Sequence, residues 1–386
     1  MKILHVVPSY LPAVRYGGPI LSVHGLCKAL VARGHEVEVF TTNVDGPENS
    51  DTPLGIPVDL DGVKVWYFPV PMLRRLYWCP KMAGALWRRM GCFDVVHTHS
   101  VFLWPTWAAA RVARHWRVPY VLAPRGMLVQ DLIRRKSRWI KRFWIALIER
   151  GNLTNAALIH FTSRIEAEDA AALGLSIRQS CIVPNGLDMP SIDSASGGNS
   201  PASVTVDKRP FLLFVGRINW KKGLDRLIAA LPEVPNCHLL VAGNDEERYQ
   251  PALEALAVRA GVRERISFVG PIYGEEKAAL FRCALMLVLP SYSENFGNVV
   301  LEAMAAGCAV AVTPEVGAAD IVRESGGGAV VDGDPVKLGA DIRGLIADPA
   351  ALKRMGEQGR EFVSRHYTWE AICPQMEAAY RQAIAG

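Results

Sequence analysis

No apolar run in these 386 residues reaches the ~18 that a membrane-spanning helix needs, which argues against an integral membrane protein. The eight cysteines, at positions 27, 79, 92, 181, 237, 283, 308 and 373, form no Cys-x-x-Cys and no Cys/His group at zinc spacing. Neither a zinc site nor a disulfide framework is expected, and the cysteines read as small core residues of a reducing compartment. There is no Gly-x-Gly-x-x-Gly, which counts against a dinucleotide-dependent dehydrogenase, and no nucleic-acid motif accompanies the basic residues. Charged residues make up 21% against 50% hydrophobic, a balance that argues for a folded globular chain over a disordered one. The N-terminus, MKILHVVPSYLPAV, has one lysine and then a strand-like run, with Pro8 and Pro12 breaking any signal-peptide core. A cytoplasmic protein is expected.

What charge there is lies unevenly. Residues 1–190 hold 23 Lys/Arg against 14 Asp/Glu, and residues 191–386 hold 20 against 24, so the two halves meet different partners or the first faces an anionic surface. The excess concentrates in RRKSRWIKRFWIALIER, Arg134 to Arg150, where Trp139, Phe143, Trp144 and Leu147 interleave with seven basic residues; LRRLYWCPKMAGALWRRMG, from Leu73, repeats the style. Basic, aromatic, helix-periodic segments suit an anionic membrane face. The plainer alternative is a packed helix with a charged outer side.

Short β-branched runs alternate with helix-like segments throughout: KILHVVPS, EVEVFTT, VKVWYFPV, DVVHTHS, YVLAPRG and LIHFTS, then FLLFVGR, HLLVAGN, RISFVGP, LMLVLPS, AVAVTPE and GAVVDGD. Such alternation implies parallel sheets covered on both faces. Between the two series lies PSIDSASGGNSPASVTVDKR, rich in Ser, Gly and Pro and without apolar periodicity, which reads as a linker. The fold class is therefore α/β, two Rossmann-like doubly wound domains facing each other across a cleft: residues 1–189, a linker 190–209, a second domain 210–366 and a terminal helix 367–386, helix-like beyond Pro374.

Ligands of such sheets bind beyond the carboxyl ends of the strands. After the first strand, RYGGPILSV places Gly17 and Gly18 before Pro19, a junction at which backbone N–H groups can approach a phosphate; it is equally an ordinary loop-to-helix junction. After FLLFVGR, Arg217 ends a strand and Lys222 precedes Gly223 and a helix, which outlines a diphosphate site. After LMLVLP comes SENFGNVVLE, with Glu294 and Glu302 eight positions apart about a Gly-Asn turn and a helix start. A bare phosphate at that helix would be repelled by two carboxylates. A nucleoside diphosphate sugar would not be, because an ionised carboxylate offers acceptors only and suits a vicinal diol. Gly297 would keep the loop narrow.

SENFGNVVLEAMAAG resembles the E-x7-E signature of retaining family 4 glycosyltransferases of GT-B fold, the bacterial group 1 type. FLFVGRINWKKGLD, VPNGLD, the N-terminal Gly-Gly loop and DVVHTHS fall where that family has its counterparts, so that the likeness covers essentially the whole chain. The resemblance implies that Glu302 binds the ribose hydroxyls and Glu294 the donor sugar, with Asn295, Phe296, Gly297 and Asn298 completing that loop. It implies that Arg217 and Lys222 bind the diphosphate, with Gly17 and Gly18 near the phosphates and His99 beside the anomeric centre. It further implies that the terminal helix crosses back onto the first domain. The stretch TPEVGAADIVRES departs from the family's usual Gly-Gly followed by an acid, and its role is left open.

The expected function is then anomer-retaining transfer of a hexosyl-type sugar from a nucleoside diphosphate donor to a hydroxyl of a glycan or lipid-linked acceptor, in assembly of a cell-surface polysaccharide such as lipopolysaccharide, at the inner face of the membrane. No cofactor and no metal are expected; the Asp59/Asp61 and Asp332/Asp334 pairs adjoin glycines and read as turns. His97 is assigned to the sheet face opposite His99 and given no role, and Arg125, closing the strand of APRGML, is left between acceptor and phosphate. Alternatives are a sugar-nucleotide epimerase or hydrolase of the same fold, a glycosidase with paired carboxylates, and a non-catalytic membrane-associated scaffold.

Overall fold

The computed structural model describes residues 1–13, 17–129, 148–190 and 210–386. Most of the basic segment 134–150 and of the linker 190–209 lies outside the described residues. The chain divides into two compact units, Met1–Gly186 together with Trp369–Gly386, and Leu187–Thr368. No described helix is long and apolar enough to cross a membrane.

In the first unit the strands are β1 (Lys2–Val6), β2 (Glu36–Thr42), the two-residue pair β3 (Val44–Asp45) and β4 (Glu48–Asn49), β5 (Pro57–Leu60), β6 (Val63–Phe68), β7 (Val95–His99), β8 (Tyr120–Ala123), β9 (Leu158–Phe161) and β10 (Ser180–Ile182). Eight of them form one sheet in the order β10-β9-β8-β7-β1-β2-β6-β5, parallel except for the β5–β6 hairpin. The second unit carries β11 (Phe211–Val215), β12 (His238–Ala242), β13 (Ile266–Gly270), β14 (Met286–Leu289), β15 (Val310–Val312) and β16 (Gly328–Val330), all parallel, in the order β13-β12-β11-β14-β15-β16. Strands covered on both faces must be apolar along their whole length. FLLFV and MLVL are accordingly buried at every position. In each sheet the winding reverses once, between β1 and β7 and between β11 and β14. The strands part there at their carboxyl ends, which is where ligands of doubly wound sheets bind.

The two faces of the first sheet differ chemically. Leu4, Val6, Val96, Leu122 and Ile159 pack into an apolar core with residues of the helices Pro80–Arg89 and Trp104–Trp116. The opposite face presents His5, His97, His99 and His160, all buried. Successive strand residues alternate faces, so positions 97 and 99 share one; their rings lie 4.1 Å apart, which corrects the assignment of His97 to the other side.

The helix Trp369–Ala385 covers that histidine face, in contact with β7, β8 and the helix Gly18–Ala32. It starts at Trp369, five residues before Pro374, so the proline lies inside the helix and not at its start. The indole of Trp369 sits over two glycines: a Cβ on Gly25 would lie 2.4 Å from the ring and one on Gly186 2.6 Å. Glu377 accepts from Arg33 Nε at 2.5 Å, from Arg381 at 3.2 Å, and lies 3.0 Å from His35 Nε2. The Arg33 hydrogen bond, above all, pulls its carboxyl down to about 2. Gly25→Ala is expected to force the indole out of its slot at a cost of ~1–3 kcal/mol, read as a lowered urea midpoint. An unchanged midpoint would mean that the helix is held without that contact.

Candidate functional site

In the second unit, two loops leave the sheet where its winding reverses. The first, after β11, carries Arg217, Lys221 and Lys222; Arg217 is exposed and makes no ion pair among the described residues. Lys222 pairs with Glu294 of the second loop. Lys221 is drawn down to about 8, chiefly by burial and then by the Arg217 charge beside it. Three cations at one strand end with, among the described residues, a single carboxylate in contact make a site short of negative charge. An anion with the charge of a diphosphate would balance it.

The second loop follows β14. Tyr292 N–H donates to Lys221 O at 2.7 Å, tying the two loops together, and Thr313 Oγ1 holds Ser291 O at 2.8 Å. The backbone of Glu294 is clamped on both sides, its N–H donating to Glu315 O at 3.0 Å and its carbonyl accepting from Gly317 N–H at 2.9 Å. This clamp gives TPEVGAAD its place: it is the splint of the glutamate loop. A Cβ on Gly317 would lie 2.0 Å from Asn295 O, so only glycine lets the two loops meet. Gly297 then turns the chain into the helix Asn298–Ala305 with φ of 90°, a left-handed conformation that costs other residues energy. No side chain caps the helix. Its N–H groups and positive dipole end remain directed at the loop mouth.

Glu302 lies one turn into that helix and pairs with Lys277 of the helix Gly274–Cys283. Each glutamate of the signature thus has its own lysine. Phe296, by contrast, turns its ring into the core and is 4% exposed, so its contribution to a ligand is limited to its backbone. Asn295 and Asn298 flank it on the loop, half-buried. A neighbouring cavity of about 460 Å3 is lined by Asp225, Glu315, Asp332 and Asp334 against Arg226; its balance of charge does not suit a diphosphate. Asp334 caps the helix Pro335–Ile346, and Asp59 accepts from Gly62 N–H at 3.0 Å, as turn residues do.

In the first unit, Gly17 precedes the helix Gly18–Ala32 at the mouth of the β1 loop, with no described residue within 4 Å of where its Cβ would lie and no described side chain capping the helix. His99 ends β7 on the other side of the same reversal. Its ring is not free. Arg125 donates to Nδ1 from Nε at 3.3 Å and Nη2 at 3.2 Å, and Nε2 lies 3.0 Å from His5 Nδ1. From there the contacts continue: His5 Nε2 to Tyr380 OH at 3.4 Å, Tyr380 OH to His97 Nδ1 at 2.9 Å, His97 Nε2 to His160 Nδ1 at 3.3 Å, and His160 Nε2 to Val183 O at 2.8 Å.

This chain begins at a donor-only guanidinium and ends at an acceptor-only carbonyl, so every proton in it has one allowed position. All four histidines are neutral and carry hydrogen on Nε2, and Tyr380 donates to His97. Burial in the first place holds each imidazole below its ordinary range, His5 and His160 at about 3. His5, His97 and His99 offer ring nitrogens within 4.8 Å of one another, a spacing that a metal ion could use. All six of those nitrogens already donate or accept.

Sequence reasoning missed Lys221, Lys277 and the histidine chain. Lys221 was adjacent to Lys222 and could have been read with it. Lys277 stands 25 positions before Glu302 on a different helix, and no local pattern links the two.

Two family models divide the chain between them, the glycosyl transferase 4-like domain over residues 17–186 and the glycosyl transferases group 1 over residues 199–362. A D-inositol 3-phosphate glycosyltransferase of Xylanimonas cellulosilytica is 30% identical over 95% of this chain and 92% of its own. The chain belongs to the glycosyltransferases. Among solved structures, the sucrose-phosphate synthase of Thermosynechococcus elongatus matches with a TM-score of 0.79 at 25% identity, covering 100% of this chain and 99% of that one. Anabaena HepE, solved in complex with UDP-glucose, matches with a TM-score of 0.75 at 19% identity over 99% of each chain, a likeness of fold. This glycosyltransferase therefore has the GT-B architecture.

Proposed function

We propose that this glycosyltransferase moves a hexosyl-type sugar from a nucleoside diphosphate sugar to a hydroxyl of a glycan or lipid-linked acceptor, with retention at the anomeric carbon. The observation that carries the reading is the meeting, at the reversal point of the second sheet, of Arg217, Lys221 and Lys222 with an uncapped helix start and two glutamates. Cations and N–H groups aimed at the diphosphate stabilise the charge that forms as the sugar departs in an oxocarbenium-like transition state. Glu294 and Glu302, acceptors only, suit the hydroxyls of the sugar and the ribose. A departing phosphate oxygen takes the acceptor's proton on the face it leaves, which gives retention without a protein base. His99, with both ring nitrogens engaged, acts through the Arg125 guanidinium it holds and not through an open lone pair, and Gly17 opens the helix Gly18–Ala32 toward phosphate. With three cations at the diphosphate, the reading needs no metal and no cofactor.

HepE was solved with UDP-glucose, which makes UDP-sugars the first donors to test. Thermal-shift screening against UDP-, GDP- and ADP-sugars is expected to give one selective rise in melting temperature, followed by product NMR to read the anomer. A response to none of them would sink the reading. Because Lys221 loses its proton near pH 8, donor affinity is expected to fall severalfold between pH 7 and pH 9; calorimetric titration at the two values checks it, and equal affinity would remove Lys221 from the site.

An acceptor at the membrane face, as in assembly of a surface polysaccharide, is supported by the basic aromatic sequence 134–150 and by the helix Pro80–Arg89, where Trp87 is 44% exposed beside exposed Lys81 and Arg88. Flotation with anionic vesicles, wild type against Trp139→Ala, Trp144→Ala, tests that placement; equal recovery would count against it.

A further inference from the structure

Arg125 closes β8 in a left-handed conformation, φ 55°, half-buried at the carboxyl end of the first sheet. A cation in such a place ordinarily has a carboxylate in contact, because a buried charge without a partner is costly. Among the described residues Arg125 makes no ion pair. Its partners are neutral: Nε and Nη2 donate to His99 Nδ1, and Nη1 donates to Asn185 Oδ1 at 2.9 Å. The nearby acid, Glu166, acts on Arg125 through space only: its oxygens accept from the N–H groups of Gly126 (2.6 Å) and Thr162 (2.8 Å) and from the Thr162 hydroxyl (3.0 Å).

The ordered histidine chain explains how the charge is tolerated. Each link points its hydrogen away from Arg125, so the lone-pair end of a line of aligned dipoles faces the guanidinium. Dipoles ease a charge without cancelling it. Among the described residues three of the five guanidinium N–H groups are used, which leaves one on each Nη for a ligand, and a guanidinium suits oxyanions.

We propose that Arg125 is the receptor for an anionic group, a phosphate or a carboxylate, carried by the acceptor substrate. This rests on the reading of the chain as a transferase whose first unit takes the acceptor. The anion would give the guanidinium the contacting negative charge that no described carboxylate supplies, and it would select acceptors bearing one negative group near the reacting hydroxyl.

The test uses the full chain labelled with 15N-histidine, in an Arg217→Ala, Lys222→Ala background that strips the donor site of two cations. Sodium phosphate, sodium acetate and sodium chloride are titrated at matched ionic strength while the His99 Nδ1 resonance is followed. An anion that shares the guanidinium loosens its hold on Nδ1, so a saturable shift is expected with phosphate or acetate and none with chloride. A response to phosphate alone assigns a phosphate, and to acetate alone a carboxylate. Arg125→Met should weaken the response at least tenfold, and Arg125→Lys should restore part of it. Identical responses to all three salts, no response to any, or a saturable shift that survives Arg125→Met would overturn the proposal. The titration with Arg125 in place stands even if the methionine variant misfolds. A selective donor-induced thermal shift in the wild type, alongside a failed anion titration, would sink this inference and leave the transferase reading intact.

Discussion

Lowering the pH from 7 toward 5 is expected to unfold the first unit cooperatively, with a stability slope approaching four protons, or ~5 kcal/mol per pH unit. His5, His97, His99 and His160 all have depressed folded-state values, two of them about 3, set first by burial. In the unfolded chain each titrates near its ordinary 6.5. The unfolded state therefore gains protons below pH 6.5 that the folded state refuses, so the stabilisation is complete above that pH and falls continuously as the pH drops toward 3. A second proton on any ring would set two N–H donors against each other within the chain, and Arg125, cationic, lies against the same cluster. Against a typical total stability of ~5–15 kcal/mol, one to three pH units suffice. Urea midpoints between pH 7.5 and 5 measure the slope. Glu377, with its carboxyl at about 2, loses its contribution only below the unfolded carboxylate value near 4.5, so the two windows separate. A flat profile from pH 6.5 to 5 would mean that the ordered chain is not the ground state.

Lys222→Ala is expected to reduce kcat/KM by ~3 kcal/mol, about two orders of magnitude. Two losses combine: a cation at the diphosphate disappears, and Glu294 is left without its counter-ion. A double-mutant cycle separates them. If Lys222 acts mainly on the leaving group, Glu294→Gln added to the Lys222→Ala variant brings its own full cost. If Lys222 serves mainly to hold Glu294, the second substitution costs little more. A loss below threefold for the single variant would remove Lys222 from the diphosphate.

Some of this was open to reading along the chain because the physics is local. The buried runs FLLFV and LMLVLP announce strands covered on both faces, and the Gly-Asn turn between Glu294 and Glu302 marks a helix start wherever it occurs. Arg217 and Lys222 follow a strand by a few residues, and a doubly wound sheet sends such residues to its ligand end. Other features depend on pairs that share no spacing. Lys277 reaches Glu302 from another helix. His5 and His99 meet 94 positions apart, and Tyr380 joins them from the far end of the chain. Pro374 suggested a helix beginning later than it does, because packing of Trp369 on Gly25 and Gly186 outweighs the local preference. His97 was misplaced although the two-residue period of a strand was enough to put it beside His99.

By itself, then, the amino-acid order determined the α/β architecture, the two wound sheets, and the placing of loop glutamates and cations at strand ends. These follow from periodicity and from the chemistry of near neighbours. Only the tertiary structure decided the protonation of the histidines, the pairing of each signature glutamate with a lysine, and the neutral company kept by Arg125. Those depend on burial and on distance between remote residues, since a charge or a proton responds to whatever lies within a few ångströms, regardless of how far away along the chain it was encoded.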